Sequence, residues 1–285
     1  MEITLDLIKE LRNKSGAGIN DCKKALTETD GDIPKAIELL RKKGAATAMK
    51  RADKATNEGA VKSQISDDKK TGVIIEVNCE TDFVSKGDQF QNFASAIAET
   101  ALNAKSEDVN TVLEAKTSNN GLTVKEYLDS IVSAVAEKTE LRRVKILEAK
   151  DGFVADYNHF GSKLGSLVSI KGKLSDASEA LAKSIAMQVV AMNPMAINRD
   201  GVAADIIEKE KEIYLTAAKN EGKADNIAER IVSNKVDKFY QDNTLLEQES
   251  IKESGRTVQD LIKDYKKSSG EEFEVIEMAR FQLGG

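Results

Sequence analysis

Apolar residues recur at helical spacing in three short segments between residues 4 and 43. In the first segment Leu7 and Leu11 share one face, and in the third the apolar positions follow an i, i+3, i+4, i+7 pattern. Glycines separate the segments, and Gly44 is predicted to end the third. We therefore predict an N-terminal bundle of three helices, followed by a helical linker over residues 44–57 that is rich in Ala and Lys.

Capping residues mark where two of these helices should begin. Asn20 is predicted to cap the second helix and Asp32 the third, because both side chains can accept a hydrogen bond from an unpaired backbone N–H. Pro34 falls in the first turn of the third helix, where a missing N–H costs nothing. A bundle of about 40 residues has only a marginal core. Small bundles of this kind often serve as docking modules, and we expect that role here.

The rest of the chain contains a diverged internal repeat. The stretches that begin at Glu58 and at Asp151 share an acidic residue, a glycine, an apolar strand, a polar turn and a second strand. An amphipathic helix follows in both, and later LTVKEYLDSI (122–131) matches RTVQDLIKDY (256–265). Each half is therefore predicted to be strand–strand–helix–helix–strand, an α+β arrangement of helices on an antiparallel sheet.

The second half is longer than the first, and its extra residues fall at roughly 200–243. Two apolar stripes in this segment flank the turn NEGK (220–223), which predicts an antiparallel helical hairpin. The chain is thus expected to comprise a docking module with its linker at 1–57, a first core half at 58–150 and a second core half at 151–285. The second core half contains the hairpin 200–243.

Charge and hydropathy narrow the function mainly by exclusion. The 285 residues carry 42 Lys and Arg against 48 Asp and Glu, a net charge of −6, which disfavours a dedicated nucleic-acid binder. The basic stretch RKKGAATAMKRADK (41–54) departs from this balance. The sequence has no apolar run of the roughly 18 residues that mark a membrane span, and its N-terminus lacks the pattern of a signal peptide. We expect a cytoplasmic protein without membrane contact.

No set of residues suggests catalytic or metal chemistry. His159 is the only histidine, and Cys22 and Cys79 form no CxxC or CxxH pattern, so neither a zinc site nor an oriented cysteine–histidine pair is predicted. The pair Gly172–Lys173 lacks the first glycine and the following Ser or Thr of a P-loop. We predict a protein that is not an enzyme, with no catalytic residue, metal, cofactor or bound nucleotide.

One connection is unusual. The stretch NCETDFVSKGD (78–88) joins an apolar strand to an amphipathic helix and places Phe83 beside Asp82, where water should be. Phe83 either closes this protein's own core at the strand end or fills a pocket of a partner. The corresponding stretch of the second half, LSDA (174–177), has no aromatic residue. A structural cap would recur in both halves, so this difference favours the partner contact.

Three segments resemble bacterial translation elongation factor Ts, namely SGAGINDCKKALTETDGDIPKAIELLRKKG (15–44), IIEVNCETDFVSK (74–86) and LRRVKILEA (141–149). The resemblance spans essentially the whole chain. It implies an N-terminal three-helix module of the ubiquitin-associated type, two related core halves and a helical-hairpin insertion. The implied function is guanine-nucleotide exchange on the GTPase elongation factor Tu, with no nucleotide held by this chain.

The resemblance also implies roles for particular residues. What we call the release loop comprises Thr81, Asp82, Phe83 and Val84. Its Asp–Phe pair is implied to intrude between helices of the partner's GTPase domain and to shift elements that contact Mg²⁺ and the β-phosphate. What we call the docking surface comprises Lys9, Arg12, Ile19, Asn20 and Lys23. His159, in the second half, is implied to lie where a different domain of the partner makes contact.

Three other functions stay open from the residues alone. An adaptor would bind a ubiquitin-like or ribosomal partner through the first bundle, without releasing nucleotide. An RNA-binding factor would use the basic stretch 41–54, and its affinity would fall steeply with salt concentration. A cysteine enzyme would lose its activity on Cys79→Ser.

Overall fold

The computed structural model describes residues 3–285, and it begins with the predicted three helices. These are α1 (Leu5–Ser15), α2 (Ile19–Glu28) and α3 (Ile33–Lys50). Their apolar faces meet in a small core that includes the fully buried Leu11 and Leu26. The side chain of Asp32 caps α3 by accepting a hydrogen bond from the backbone N–H of Lys35, as its position in the sequence predicts.

The first half of the core is a three-stranded sheet covered by helices. β1 (Glu58–Ile65) and β2 (Thr71–Cys79) form an antiparallel hairpin in which Glu58 lies opposite Cys79. β3 (Thr139–Glu148) lies on the other side of β2. The helices between β2 and β3 are α4 (Asp82–Ser85), α5 (Asp88–Ala104), α6 (Val109–Glu114) and α7 (Val124–Val135).

Burial in the first half is concentrated on β2 and α5. Every residue of β2 is buried, and Phe90, Phe93 and Ile97 of α5 belong to the same core cluster. A carboxylate also lies within this strand: Glu76 is fully buried and bonds the guanidinium groups of Arg142 and Arg143 at 3.1 and 2.7 Å. These two cations compensate for the loss of water around the carboxylate.

The second half repeats this plan with a longer helical region. Its sheet has the order β4-β5-β6. The strands are β4 (Gly152–Asn158), β5 (Leu164–Gly172) and β6 (Phe273–Gln282), and the helices are α8 (Asp176–Met192), α9 (Ala204–Asn220), α10 (Asp225–Asn243) and α11 (Val258–Ser269). The fold is therefore the predicted mixture of an N-terminal helical module and two small antiparallel sheets with helices.

Local geometry confirms the repeat between the halves. Thr123 caps α7 and Thr257 caps α11. Both form a capping box, in which the side chain of the acidic residue three positions later accepts a hydrogen bond from the backbone N–H of the threonine. The buried faces of α5 and α8 also correspond at a constant spacing along the chain. The matched buried pairs are Phe90 with Ala182, Phe93 with Ile185, Ala94 with Ala186, Ile97 with Val189, and Ala98 with Val190.

The predicted helical hairpin is present as α9 and α10. The two helices pack against each other through a cluster that contains the buried Ile207 and Val236. They are joined at the predicted turn, where the N–H of Lys223 donates to the carbonyl of Ala218 at 3.2 Å. Only part of each apolar stripe is buried, since Ile213 of α9 is 58% exposed and Ile227 of α10 is 49% exposed.

The chain divides into two compact units. The first comprises the residues up to Ile146 together with Asn158–Gly165 and Phe281–Gly285, and the second comprises Leu147–Tyr157 and Ser166–Arg280. The division at residues 57 and 150 that the sequence suggests stays a prediction.

Two predicted details of the N-terminal module are wrong. Asn20 does not cap α2, because the helix begins at Ile19 and Gly18 occupies the cap position without a side-chain hydrogen bond. Gly44 does not end α3, which continues to Lys50 and packs along α7. A Cβ atom on Gly44 would lie 2.0 Å from the backbone oxygen of Asp129, so the glycine allows a close helix–helix approach.

Candidate functional site

The release loop forms a single helical turn, α4. The hydroxyl of Thr81 caps this turn by accepting from the N–H of Val84 at 3.4 Å, and the N–H of Lys86 donates to the carbonyl of Asp82 at 3.1 Å. Gly87 then has an extended backbone and becomes the cap of α5. The connection therefore interrupts a helix, and the interruption separates α4 from the longer α5.

The second half shows what this interruption changes. The two halves can be aligned so that the buried residues of α5 coincide with those of α8. In this alignment Asp176, the first residue of α8, corresponds to Val84. The helix in the second half runs unbroken from that point, whereas the first half breaks after Ser85. The break allows the turn that carries Phe83 to leave the line of α5.

Within α4, neighbouring side chains have opposite environments. Val84 belongs to the core of the first half and Ser85 is also buried, so this side of the turn is held by packing. Phe83 is 86% exposed. The interpretation that Phe83 closes this protein's own core is therefore wrong, because its ring lies outside that core. The exposed ring leaves a large apolar surface available to a partner.

Two carboxylates hold the backbone just before α4. Glu137 accepts hydrogen bonds from the N–H and the hydroxyl of Thr81, at 3.0 and 2.8 Å. Glu80 accepts from the guanidinium of Arg51 at 2.7 and 2.6 Å, and from the N–H of Lys138 at 2.6 Å. The release loop is thus tied to the residue that follows α3 and to the segment that enters β3.

The ion pair with Arg51 shifts the pKa of Glu80. Hydrogen bonds from Arg51 are the largest cause that lowers the pKa of Glu80, from its ordinary value of 4.5 to about 2. A carboxyl group with a lowered pKa in the folded state contributes stability above its unfolded pKa and loses it as the pH falls toward the folded value. The contribution of Glu80 is therefore complete above about pH 4.5 and disappears toward pH 2.

We expect Arg51→Ala to flatten this pH dependence. The difference in unfolding free energy between the wild-type protein and the variant should be largest near neutral pH and should shrink as the pH is lowered below about 4.5, because protonated Glu80 no longer benefits from the cation. Urea denaturation across that range measures it. Glu80→Gln, which removes the titrating group itself, should show the same flattening, and equal slopes in all three proteins would contradict the assignment.

Asp82 is exposed but not isolated. Lys86 donates to its carboxylate at 2.7 Å, and this hydrogen bond is the largest cause that lowers the pKa of Asp82. Both side chains are more than half exposed, so the pair contributes little to stability. Asp82 therefore stays ionised at neutral pH and can exchange Lys86 for a hydrogen-bond donor on a partner.

All five residues of the docking surface are exposed. Lys9 and Arg12 lie on α1, whereas Ile19, Asn20 and Lys23 lie on α2, which packs against α1. Ile19 is 54% exposed at the start of its helix, so its apolar side chain is accessible to a partner. Leu5, at the start of α1, is 73% exposed and extends the apolar character of the module's surface beyond the predicted set.

His159 lies in the turn between β4 and β5. Its N–H donates to the carbonyl of Leu164 at 2.9 Å, and its carbonyl accepts from the N–H of Ser162 at 3.0 Å. The next residue, Phe160, is 97% exposed and was not among the predicted site residues. An aromatic residue inside the polar turn HFGSK is the same signal that singles out Phe83.

The structure also tests three other features: a reactive cysteine, a metal site and a membrane-spanning helix. Burial is the largest cause that raises the pKa of Cys79 to about 12, so this thiol is protonated at neutral pH and is a poor nucleophile. Between Ile3 and Gly285 no cluster of His, Cys, Asp and Glu side chains has the composition of a metal site. In the same part of the chain, no helix combines the length and apolarity needed to cross a membrane.

Comparisons with known proteins decide among the functions that are still open. The family model described as Elongation factor TS matches residues 80–285. Elongation factor Ts of Chlorobaculum parvum is 43% identical over 285 residues, 99% of each chain. The chain belongs to the elongation factor Ts family. Elongation factor Ts of Chlorobaculum tepidum is 44% identical over 285 residues, also 99% of each chain. That of Clostridium botulinum is 41% identical over 283 residues, 99% of this chain and 93% of the relative.

Membership in the elongation factor Ts family confirms the resemblance seen in the sequence and makes the protein a component of translation elongation. The match of the family model begins at Glu80, the residue that Arg51 holds immediately before the release loop. The relatives match 99% of this chain and therefore also cover the N-terminal module.

Proposed function

We propose that this protein promotes the release of GDP from elongation factor Tu by inserting the release loop beside the partner's magnesium- and phosphate-binding elements. Membership in the elongation factor Ts family supports the general function, guanine-nucleotide exchange on elongation factor Tu. The observation that carries the loop's role is Phe83, an 86% exposed aromatic on a turn anchored by Val84, Glu80 and Thr81.

The proposed mechanism needs no catalytic side chain. Much of a bound nucleotide's affinity comes from the Mg²⁺ that bridges its phosphates and from backbone donors around them. A wedge that displaces those groups by about an ångström weakens the bound state, because hydrogen bonds depend steeply on distance and angle. The chain acts by binding a conformation of its partner that holds GDP poorly.

Thermodynamic linkage constrains this action. If the chain weakens GDP binding by some factor, GDP weakens binding of the chain by the same factor. The complex of the chain, its partner and GDP is therefore transient, and excess GTP displaces the chain and completes the cycle.

A rigid loop makes insertion more favourable. A flexible segment loses conformational entropy when it orders on binding, and that loss subtracts from the binding free energy. In this chain the loop is already ordered by the hydrogen bonds of Thr81 with Glu137 and of Arg51 with Glu80. More of the contact energy of Phe83 is thus available to displace elements of the partner.

Insertion also needs contacts that hold the chain in place, because a wedge alone would be expelled. The N-terminal module is suited to this role. Its helix α3 packs along α7, and Arg41 of α3 forms an ion pair with Glu126 of α7. The docking surface and the release loop belong to the same compact unit, so both can engage one partner at a fixed spacing.

The linkage relation supplies the test of the proposed function. Titration calorimetry with nucleotide-free and with GDP-bound elongation factor Tu should give tighter binding to the nucleotide-free form. The ratio of the two dissociation constants should equal the factor by which the chain weakens GDP binding. An adaptor that binds without acting on the nucleotide would have equal affinities for both forms, and that result would refute the proposal.

For the docking surface we expect Lys23→Glu to weaken the complex by about tenfold, on the order of 1.4 kcal/mol. Reversal of one charge at a contact replaces attraction by repulsion. The rate of GDP release at saturating concentration of the variant should stay near the wild-type value, because the loop is intact. Lys209→Glu is the matched control, since Lys209 is also an exposed lysine on a helix, α9. An unchanged affinity for Lys23→Glu would remove this residue from the docking surface.

A further inference from the structure

Phe160 and Phe83 are the two most exposed large apolar side chains of residues 3–285, at 97% and 86%. A phenylalanine side chain on the surface gains nothing from the core of its own protein. Single exposed apolar residues are common on proteins, but an aromatic ring exposed almost completely is rare and has the size to fill a partner's pocket. The proposed function explains the exposure of Phe83 but not that of Phe160.

The turn that carries Phe160 is attached to β1. The carbonyl of Ser162 accepts from the N–H of Val61 in β1 at 2.7 Å, and Lys163 forms an ion pair with Glu58, the first residue of β1, at 2.8 Å. The helical turn α4 also packs against β1. One strand therefore supports both aromatic-bearing segments, and all three belong to the same compact unit.

Charged groups connect the two segments at the start of β1. The hydrogen bond from Lys86 is the largest cause that lowers the pKa of Asp82, and Lys163 of the second turn lowers it further. The hydrogen bond with Asp82 is the largest cause that raises the pKa of Lys86, and Glu58 raises it further. These interactions require the turn at Phe160 and the release loop to lie within electrostatic range of each other.

The backbone presents Phe160 in a fixed way. Gly161 and Ser162 both have positive φ angles, 86° and 55°, and the N–H of Ser162 donates to the carbonyl of His159. This hydrogen bond closes a turn over residues 159–162 in which Phe160 and Gly161 are the two central residues, and the positive φ of the second is one that glycine readily adopts, so Phe160 lies at a corner of the turn. Like the release loop, this turn offers an aromatic ring whose backbone is already ordered.

We propose that Phe160 is a second aromatic anchor, which binds the same protein partner as the release loop. This inference rests on the proposed function. The partner should be the same for both rings because the two segments that carry them both contact β1. A protein that covers Phe83 comes close to β1 and therefore also reaches the turn that carries Phe160. Because the exposed group is an uncharged aromatic ring, the surface that receives Phe160 is an apolar depression on elongation factor Tu. Phe160 supplies affinity, whereas Phe83 acts on the nucleotide site.

The two roles predict different kinetic defects. Phe160→Ala should raise the dissociation constant for nucleotide-free elongation factor Tu by about 10- to 100-fold, the range for an aromatic interface residue. The rate of GDP release at saturating concentration should be unchanged. Phe83→Ala should lower that maximal rate. Because Phe160 contributes to no core, the thermal unfolding temperature of its variant should match that of the wild-type protein. Ile213→Ala, at an exposed apolar position on α9, is the control and should change neither quantity.

The outcomes separate this inference from the proposed function. A dissociation constant for Phe160→Ala within about twofold of the wild-type value, with Phe83→Ala still defective, overturns the second anchor and leaves the release loop intact. A wild-type chain that does not accelerate GDP release overturns both. The alternative partner of Phe160 is a second copy of this chain, and analytical sedimentation of the chain alone tests it. If Phe160→Ala abolishes self-association but not binding of elongation factor Tu, Phe160 contacts the second copy and the inference is wrong.

Discussion

We expect Phe83→Ala to lower the maximal rate of GDP release from elongation factor Tu by about 100-fold and to leave the unfolding free energy within about 0.5 kcal/mol of the wild-type value. The large kinetic effect is expected because the ring supplies the contacts that displace the nucleotide-holding elements of the partner. The small effect on stability is expected because the ring is 86% exposed and packs into no core of its own protein.

Stopped-flow release of a fluorescent GDP analogue measures the rate, and urea denaturation measures the stability. Asp82→Ala should also slow release, whereas Lys86→Ala should have little effect, because the exposed Asp82–Lys86 pair is expected to separate when the partner binds. Ile227→Ala, on α10, controls for the loss of any exposed aliphatic side chain. If Phe83→Ala and Asp82→Ala together left release rates and affinity at wild-type values, the wedge would have no support.

We expect Gly44→Ala to lower the unfolding free energy by about 1–3 kcal/mol, the usual cost of overpacking. The sign is opposite to that in an exposed helix, where replacing glycine by alanine stabilises by about 1 kcal/mol. The added methyl group would lie 2.0 Å from the backbone oxygen of Asp129 and 3.0 Å from its carbonyl carbon. Backbone atoms cannot rotate away, so α3 and α7 must move apart.

The same substitution tests the coupling between docking and release. Separation of α3 from α7 changes the position of the docking surface relative to the release loop, so affinity for elongation factor Tu should fall together with stability. Urea denaturation and titration calorimetry give the two values. Lys42→Ala, at an exposed position of α3, is the control and should change stability by less than about 0.5 kcal/mol. A Gly44→Ala protein more stable than wild type would contradict the close packing of these helices.

Features that depend on neighbours in sequence could be predicted. The Asp32 cap with Pro34 and the turn between α9 and α10 are local signals, and each lies where the sequence places it. The apolar periodicity of the halves also indicated their strands and long helices in order, because one face of each element must be buried. The short helices α4 and α6 of the first half were not predicted.

Features that depend on distant contacts could not be predicted. Gly44 was expected to end a helix, because a glycine in that local context usually does. Its actual role is set by the backbone of Asp129, more than 80 residues later in the chain. In the same way Arg51 belongs to a basic stretch in the sequence, and only the fold brings its guanidinium to Glu80 and the release loop.

The candidate site likewise depends on tertiary contacts that the sequence does not show. The sequence identified Phe83 but left its side chain between core and surface, because local sequence does not determine burial. Phe160 carried the same signal, an aromatic residue in a polar turn. The exposure of both rings and their shared support on β1 emerge only from the tertiary structure. The roles of the release loop and the docking surface stay proposals that the experiments above address.

The most direct test of the central claim is release of a labelled GDP from purified elongation factor Tu, with this chain present at a concentration well below that of its partner. We expect each chain to accelerate release from many partner molecules in the presence of excess GTP, and Phe83→Ala largely to abolish the acceleration. Binding to elongation factor Tu with no change in the rate of GDP release would contradict the proposed exchange function.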